Sequence, residues 1–331
     1  MRNLTIAGRR IGDDAPCYII AEIGSNHQGR IDQARQLIRA ATEAGVDAVK
    51  FQKRENSTLY TPEMLATHYE HAHSFGPTYG AHREALELSG AALRHLRDQT
   101  TVAFLATPFD EASVDVLAAV GVDGYKIASG GLTDAPLLRY VAQQGKPIVL
   151  STGGGTIADV DRAIQIVTAY TSDLAVLHCT AAYPAEFETL NLRVIETYRD
   201  RYPTLVIGWS CHIHNLSMLM MAFALGARVL EVHVTLNRSL KGTDQAFSLE
   251  PATLRKLVKD VQRAPVALGD GVKAWQASER APIAKMRRVE TPWGRRISGE
   301  PLSSSTSTAP SARHAGDATR TPAPIGTGSR P

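Results

Sequence analysis

The sequence is poor in cysteine and contains no long apolar run. Its three cysteines, Cys17, Cys179 and Cys211, are widely spaced and form no CxxC pattern, which argues against a disulfide framework and for a reducing compartment. No apolar run reaches the roughly 18 residues of a membrane-spanning helix, and the first residues lack the apolar segment of a secretory signal. We therefore expect a cytoplasmic protein with no membrane partner.

The sequence also has no large excess of charge of either sign. Lys and Arg number 36 against 33 Asp and Glu, and no helix-length basic stripe occurs. An extended nucleic-acid interface is therefore not expected. Local positive charge has to be interpreted site by site.

What the sequence does contain is a repeated unit. A short apolar run rich in β-branched residues is followed by a polar turn and then by apolar residues at helical spacing. Eight runs predict strands at 18–23, 48–52, 102–107, 124–128, 147–151, 175–178, 205–209 and 229–234. Helices are predicted at 31–44, 83–98, 111–120, 134–144, 156–170, 191–201, 215–225 and 251–267.

This rhythm predicts an α/β protein with a (β/α)8 TIM barrel. Uniformly apolar strands fit a parallel sheet that is buried on both faces. The competing doubly wound sheet lacks support, because no GxGxxG follows the first strand and no GxxxxGK[ST] occurs. The opening "LTIAGRRIG" predicts a hairpin that plugs the bottom of the barrel. We assign 1–290 to the barrel domain and 291–331 to a low-complexity tail expected to be disordered.

Polar side chains recur where the predicted strands end, which in such a barrel is where the active site lies. Two lysines, Lys50 and Lys126, are the sharpest anomaly, because a buried lysine needs an anionic partner. Salt bridges with Glu22 or another carboxylate are one interpretation. We favour a bound phosphate or carboxylate, because serines on other strands and the turn Gly153-Gly154-Gly155 supply further donors.

Two histidines at neighbouring strand ends suggest a metal site. His233 lies in "VLEVHVTL" and shares a strand face with Glu231, while His212 follows the preceding strand in "WSCHIH". A lone strand histidine is more often a hydrogen-bonded core residue, but two that converge can hold Mn2+, Mg2+, Fe2+ or Zn2+. A catalytic thiol at Cys211 is disfavoured, because neighbouring residues of an extended segment face opposite ways. The other two cysteines are interpreted as small buried apolar residues.

A long polar connection follows the second predicted strand and contains four histidines. These are His68, His71, His73 and His82. We expect a solvated segment, of the kind that can also close over a barrel mouth.

Four segments together resemble a known family. They are "IAEIGSNHQGRIDQARQLIRAATEAGVDAVKFQ", "YKIASGGLTDAPLLRYVAQQGKPIVLSTGG", "LHCTAAYPAEFETLNLRVI" and "ALGARVLEVHVTLNRSLKGTDQAFSLEP". From about residue 17 to 272 the sequence is similar to the sialic acid synthases, the N-acetylneuraminate synthase family. This resemblance implies condensation of phosphoenolpyruvate with an open-chain hexosamine aldehyde, assisted by Mn2+ or Mg2+, to give a nonulosonic acid and phosphate.

The resemblance also implies roles for individual residues. The phosphoenolpyruvate phosphate and carboxylate would be held by Lys50, Lys126, Ser129, Ser151 and Ser210, with Thr107 and Gln52 nearby. The metal would be bound by His212 and His233 and would act as a Lewis acid on the acceptor aldehyde. The acceptor would face Glu22, Asp244 and Tyr183.

Several positions depart from the family pattern. Gly131 replaces a Glu of the motif "SGE", Cys211 the Asp of "SDH", Ala181 an Asn and Gln245 the His of "GPDH". These changes, Cys211 among them, point to an altered acceptor. The family also carries a C-terminal antifreeze-like domain that caps the partner subunit, and we expect that domain to be lacking after "LGDGVK".

We therefore predict a phosphoenolpyruvate-dependent, C–C bond-forming synthase acting on a sugar or sugar-like aldehyde. A homodimer is compatible with this prediction. Two alternatives stay open. One is a divalent-metal pyruvate aldolase that releases no phosphate. The other is a non-catalytic barrel that binds phosphorylated ligands.

Overall fold

The computed structural model of the protein describes residues 2–300. It divides into two compact units, the first ending at Leu268 and the second beginning at Gly269. The predicted domain limit at residue 290 lies within the second unit and stays a prediction. Most of the tail predicted to be disordered, residues 301–331, lies outside the described residues.

The first unit is a closed eight-stranded parallel barrel, as predicted. Its strands are β3 (Tyr18–Glu22), β4 (Ala48–Lys53), β5 (Ala103–Pro108), β6 (Gly124–Ile127), β7 (Ile148–Ser151), β8 (Leu174–Cys179), β9 (Val206–Cys211) and β10 (Val229–His233). They pair in chain order, and β10 closes the barrel against β3. Nearly every strand residue is buried, because helices cover the outer face and side chains fill the interior.

The predicted N-terminal hairpin is also confirmed. Strands β1 (Asn3–Ile6) and β2 (Arg9–Gly12) pair antiparallel. Leu4, Ile6 and Ile11 are fully buried and belong to one apolar cluster with the barrel-strand residues Tyr18 and Ile20. The hairpin thus extends the core of the barrel interior, as the prediction of a bottom plug requires.

Helices connect the strands at close to the predicted positions. They are α1 (Ile31–Ala44), α2 (Asn56–Leu59), α3 (Pro62–Ala66), α4 (Tyr79–Ala85), α5 (Gly90–Asp98), α6 (Glu111–Val120), α7 (Ala135–Ala142), α8 (Ile157–Thr168), α9 (Val194–Arg201), α10 (Leu216–Ala224) and α11 (Pro251–Leu268). Helix α1 ends at Ala44, the residue at which the sequence predicted its end. Gly45 follows with a left-handed φ of 90°, which closes the helix before β4 begins.

One helix prediction was wrong. Residues 83–98 do not form one helix, because Ser89 caps a new helix by accepting a hydrogen bond from the Ala92 N–H. The chain therefore ends α4 at Ala85 and starts α5 at Gly90.

The connection between β4 and α5 is more ordered than the sequence predicted. It contains the three short helices α2, α3 and α4, and His82 is buried with only 2% of its surface exposed. The His82 ring accepts a hydrogen bond from the Phe75 N–H and packs against Tyr69. The expectation of a solvated segment is thus wrong for His82, although His68, His71 and His73 are exposed as expected.

The second unit holds the short helix α12 (Arg280–Ala284) and the strands β11 (Arg288–Val289) and β12 (Arg296–Ile297), which pair antiparallel. In the part of the chain that the structure describes, no helix combines the length and the apolar character needed to cross a bilayer.

Candidate active site at the carboxyl ends of the barrel strands

A cavity of about 460 Å³ opens at the carboxyl ends of the strands, a size within the range of small-molecule sites. All twelve residues that the sequence assigned to the site line it. They are Glu22, Lys50, Gln52, Thr107, Lys126, Ser129, Ser151, Tyr183, Ser210, His212, His233 and Asp244. The prediction that these residues meet at the strand ends of the barrel is therefore correct, since all of them line one cavity.

Four buried charges form what we call the inner charge layer: Glu22, Lys50, Lys126 and Glu231. The Lys50 Nζ lies 2.6 Å from the Glu22 carboxylate and 3.8 Å from Glu231, and the Lys126 Nζ lies 3.6 Å from Glu231. Each side chain is less than 5% exposed. The ion pairs weighed as one interpretation of the lysines are therefore present, and two ammonium groups face two carboxylates.

Ionisation in this layer is set by burial and by the neighbouring charges. Burial acts to raise the pKa of the Glu231 carboxyl, but Lys126 and Lys50 outweigh it and lower that pKa to about 2. Burial lowers the pKa of the Lys126 ammonium, and Glu231 opposes that effect. The sequence analysis placed Glu231 on the same strand face as His233 but did not assign it to the site. That shared face indicated that Glu231 also points towards the cavity.

Hydroxyl groups surround the two lysines. Thr107 accepts a hydrogen bond of 2.9 Å from the Lys50 Nζ, and the Ser210 hydroxyl lies 3.5 Å from Glu231. The Ser151 hydroxyl is buried and has no hydrogen-bond partner within residues 2–300. A buried hydroxyl with unused bonding capacity at a cavity wall suits a bound anion.

The glycine-rich turn packs tightly against one of these serines. The Gly153 N–H donates a hydrogen bond of 3.0 Å to the Ser129 hydroxyl. A Cβ at Gly153 would come within 2.7 Å of that hydroxyl and within 2.8 Å of the Ala181 Cβ. Gly153 is therefore required for close approach, and its amide positions Ser129 instead of facing the cavity freely.

The two imidazoles converge as predicted. The ring centroids of His212 and His233 are 5.3 Å apart, and the Tyr183 ring lies 4.2 Å from that of His212. The His212 Nδ1 is 2.9 Å from the Thr180 carbonyl oxygen, and the Asp244 carboxylate is 3.5 Å from the His233 Nδ1. Burial, with repulsion by His233, lowers the pKa of His212 to about 4, so its ring is neutral near pH 7.

These residues are suited to contribute ligands to a divalent ion. Neutral imidazole is a good metal ligand, and the bond to the Thr180 carbonyl is the kind of outer contact that orients a liganding ring. The buried His233 Nδ1 has no hydrogen-bond partner within the described chain. The same residues contain no group of three His, Cys, Asp or Glu side chains placed to hold a metal. The protein would therefore contribute two imidazoles, and other ligands would complete the shell.

The sequence assignment missed two arginines that line the outer part of the cavity. Arg54 follows β4 directly, and Arg83 lies on α4. The Arg54 guanidinium lies 3.8 Å above the Phe109 ring and donates to the Gln52 side chain. No local pattern distinguished these arginines, because their position depends on how the connection folds back over the barrel.

The cysteines divide into two kinds. Cys17 is buried, as predicted, and Cys211 is buried too; burial raises the pKa of both thiols to about 12, which argues against a reactive thiolate. Cys179 instead lines the cavity, with its Sγ 3.4 Å from the Ser129 hydroxyl and 3.9 Å from the His212 Nδ1. Its interpretation as a purely apolar residue was therefore incomplete.

The positions that depart from the sialic acid synthase pattern are placed differently from one another. Ala181 lines the cavity, whereas Cys211 does not and donates instead to the Ile213 carbonyl. Any effect of Cys211 on an acceptor is thus indirect, and the altered acceptor stays a prediction. Gln245 is buried and donates to the Asn26 carbonyl, so it supports the site without lining it. A Cβ at Gly131 would lie 3.1 Å from an Ile127 methyl group.

Comparison with known proteins agrees with the resemblance to the sialic acid synthases. The model of the NeuB family matches residues 37–273. The human N-acetylneuraminate-9-phosphate synthase is 39% identical over 277 residues, which cover 83% of this chain and 77% of that protein. The N,N'-diacetyllegionaminic acid synthase of Legionella pneumophila is 35% identical, over 85% of this chain and 81% of that one.

Solved structures agree with the architecture. The N-acetylneuraminic acid synthetase of Leptospira borgpetersenii, solved in complex with citrate, is 31% identical with a TM-score of 0.73, over 84% of this chain and 94% of that one. The Bacillus subtilis spore coat polysaccharide biosynthesis protein SpsE is also 31% identical, with a TM-score of 0.70, over 88% and 87% of the two chains.

Proposed function

The chain belongs to the NeuB family, and from this membership we propose that it is a phosphoenolpyruvate-dependent synthase. It condenses phosphoenolpyruvate with a sugar or sugar-like aldehyde to give a 2-keto-3-deoxy acid and phosphate. The observation that carries the proposal is the cavity in which two buried lysines, several hydroxyl side chains and two imidazoles meet.

The inner charge layer is the proposed site of phosphoenolpyruvate. Its ammonium groups are already oriented by Glu22 and Glu231, so an arriving anion meets preorganised cations. The Ser151 hydroxyl supplies a further donor. These contacts hold the carboxylate and phosphate while C3 faces the acceptor, which is a gain from orientation.

The bond changes balance without an external reagent. C3 of phosphoenolpyruvate forms a bond to the aldehyde carbon, whose oxygen takes up a proton, while water adds at C2 and loses one. The C2–O bond to phosphate then breaks while the new C2 hydroxyl gives its proton to the departing phosphate, and C2 becomes a ketone. Lys50 and Lys126 stabilise the negative charge that collects on the leaving phosphate.

The acceptor is proposed to lie on the side of the cavity that carries Tyr183, His212, His233 and Asp244. A divalent ion, Mn2+ or Mg2+, held by the two imidazoles would polarise the aldehyde carbonyl. Ala181 leaves this part of the cavity without a polar side chain that the sialic acid synthase pattern has there. The acceptor is therefore proposed to differ from the usual one.

The test is to mix the protein with phosphoenolpyruvate, Mn2+ and a panel of open-chain N-acylhexosamines, and to measure phosphate and 2-keto acid. Equal amounts of the two products support the proposal. Condensation of pyruvate without phosphate release would establish the aldolase alternative instead. Tight binding of phosphoenolpyruvate without turnover of any aldehyde would establish the non-catalytic alternative.

A further inference from the structure

A line of polar contacts runs from the connection after β4 into the inner charge layer. One Nη of Arg54 donates to the Gln52 Oε1 over 2.6 Å, and the Gln52 Nε2 donates to one oxygen of Glu22 over 2.6 Å. The other oxygen of Glu22 lies 2.6 Å from the Lys50 Nζ. The line therefore ends at a lysine of the proposed phosphoenolpyruvate site.

The first member of this line, Arg54, is held in place independently of Gln52. Its guanidinium carbon lies 3.8 Å from the centroid of the Phe109 ring, and its second Nη lies 3.6 Å from Glu87. Glu87 also accepts a hydrogen bond of 3.2 Å from the Arg54 backbone N–H. A planar guanidinium that is fixed at one face and at one nitrogen directs its remaining donors along fixed lines. Arg54 is thus an anchored donor, and its side chain is only 11% exposed.

The Gln52 amide needs an anchored donor because its two ends have opposite hydrogen-bonding character. If the amide turned by half a rotation, its oxygen would face the Glu22 carboxylate, and two acceptors would repel each other. Arg54 carries donors only, so it favours the orientation in which the amide oxygen faces it. Its positive charge also polarises the amide and strengthens the donation to Glu22. Arg54 therefore selects the amide orientation that Glu22 requires.

The contact between Gln52 and Glu22 is enclosed by the backbone. A Cβ at Gly24 would come within 2.7 Å of the bonded Glu22 oxygen and within 3.0 Å of the Gln52 Nε2. The side chains of Glu22 and Lys50 are 1% and 3% exposed. A buried carboxylate oxygen that loses its donor is costly, so the carboxylate would turn towards Lys50 and displace its ammonium group. The direction of Lys50 therefore depends on the amide of Gln52.

We propose that Arg54 is a positioning residue for the synthase, acting through Gln52 and Glu22 on Lys50. This rests on the proposed function, because it takes Lys50 to hold phosphoenolpyruvate. In this role Arg54 keeps the ammonium group oriented before the anion arrives, without touching the reacting atoms. The Arg54 Nε is buried and has no hydrogen-bond partner in the described chain, so direct contact with a ligand is the alternative to be separated.

A double-mutant cycle separates the two roles, with phosphoenolpyruvate titrated calorimetrically into each variant. Arg54→Met should lower the affinity about 3- to 10-fold in the wild type, the usual contribution of one hydrogen bond. It should cause no further loss in Gln52→Met, where the line is already broken. Arg54→Lys should retain part of the affinity, because it keeps a charged donor. The control is Arg39→Met, at an exposed position of α1 outside the cavity, which should not change the affinity.

Two outcomes of the cycle would overturn the proposal. An equal loss in the wild type and in Gln52→Met would show that Arg54 acts on the ligand without Gln52. No loss in either background would show that Arg54 does not position the site.

A second readout needs no ligand and so separates this inference from the proposed function. Solvent exchange of the Gln52 Nε2 protons is measured by NMR, with the resonances assigned by their loss in Gln52→Met. Arg54→Met should speed this exchange about 3- to 10-fold, because opening the contact to Glu22 becomes easier, while Arg39→Met leaves it unchanged. Unchanged exchange in Arg54→Met would refute the positioning role even if phosphoenolpyruvate binds as proposed. A wild type that binds no phosphoenolpyruvate would instead refute the proposed function.

Discussion

The inner charge layer and the arginine pair, Arg54 and Arg83, line one cavity but differ in how far their charges are paired with carboxylates. The layer lies on barrel strands, and each of its lysines has a carboxylate within 4 Å. Arg54 and Arg83 lie on the connection after β4, where Arg54 shares Glu87 with Lys53 and Arg83 has no carboxylate within 4 Å in the part of the chain that the structure describes. Compensated charges keep their geometry without a ligand, and the proposed phosphoenolpyruvate site depends on that preorganised geometry. In the proposed function the strands hold the reacting groups, and the connection adds positive charge at the cavity wall.

The largest effect is expected from breaking the inner charge layer. Lys126→Met leaves the buried Glu231 with only Lys50, 3.8 Å away and already paired with Glu22, so the free energy of unfolding should fall by up to about 3 kcal/mol. Phosphate release should fall at least about 100-fold, because a preorganised charge at the leaving group is lost. Urea unfolding and a phosphate assay measure the two quantities.

Two further variants sharpen this comparison. Lys126→Met combined with Glu231→Met removes both charges and should recover most of the stability but none of the activity. Arg83→Gln breaks no ion pair and should stay within about 1 kcal/mol of the wild type. If Arg83→Gln destabilised the protein as much as Lys126→Met, the distinction between compensated and uncompensated charge would be lost.

The imidazoles give the next largest effect. His212→Ala and His233→Ala should each abolish retention of Mn2+ through dialysis, because each removes one of the two protein ligands proposed. Metal content measured by atomic spectroscopy is the readout. Cys211→Ser is the matched control and should keep its metal, since that side chain does not line the cavity. Equal metal content in all three variants would remove the metal assignment.

The pH dependence of stability separates buried from exposed histidines. Burial lowers the pKa of His27 from 6.5 to about 4, so between these values the unfolded chain binds a proton that the folded chain does not. Stability should therefore be intact above pH 6.5 and fall as the pH drops towards 4, by at most about 3 kcal/mol from this residue.

The measurement is the free energy of unfolding in urea at several pH values. His27→Gln should reduce the slope between pH 6.5 and 4 without removing it, because His82 and His212 also have a pKa lowered to about 4, while His68→Gln, at an exposed position of the connection, should leave it unchanged. Parallel slopes for the wild type and His27→Gln would show that His27 does not cause the acid sensitivity.

The smallest effect concerns the glycine turn. Gly153→Ala places a Cβ 2.7 Å from the Ser129 hydroxyl, so we expect a loss of about 1–3 kcal/mol and weaker phosphoenolpyruvate binding. Gly154→Ala meets no atom within 4 Å and suffers only from its φ of +72°, which should cost about 1 kcal/mol. Thermal unfolding with and without phosphoenolpyruvate distinguishes them, and equal binding by both variants would contradict a role for Gly153 in positioning Ser129.

Much of the barrel and of its inner site was predictable from local sequence. Lys50 and Lys126 stood out because a lysine inside an apolar strand is unusual, and the position of strand ends in a barrel brought the serines and histidines to them. Glu231 was visible on the same strand face as His233, but pattern alone did not show that it pairs with Lys126. The arginines were not predictable, because charged residues in a polar connection are ordinarily solvated.

The sequence by itself determined the order of strands and helices, the parallel barrel and the identity of the residues at its strand ends, because these follow from periodicity and chain order. Only the tertiary structure decided which charges are matched. The pairing of Lys126 with Glu231 joins residues 105 positions apart, and Arg54 and Arg83, which line the same cavity, are 29 positions apart. Such contacts are set by packing of the whole barrel, and no local pattern encodes the electrostatic balance that results.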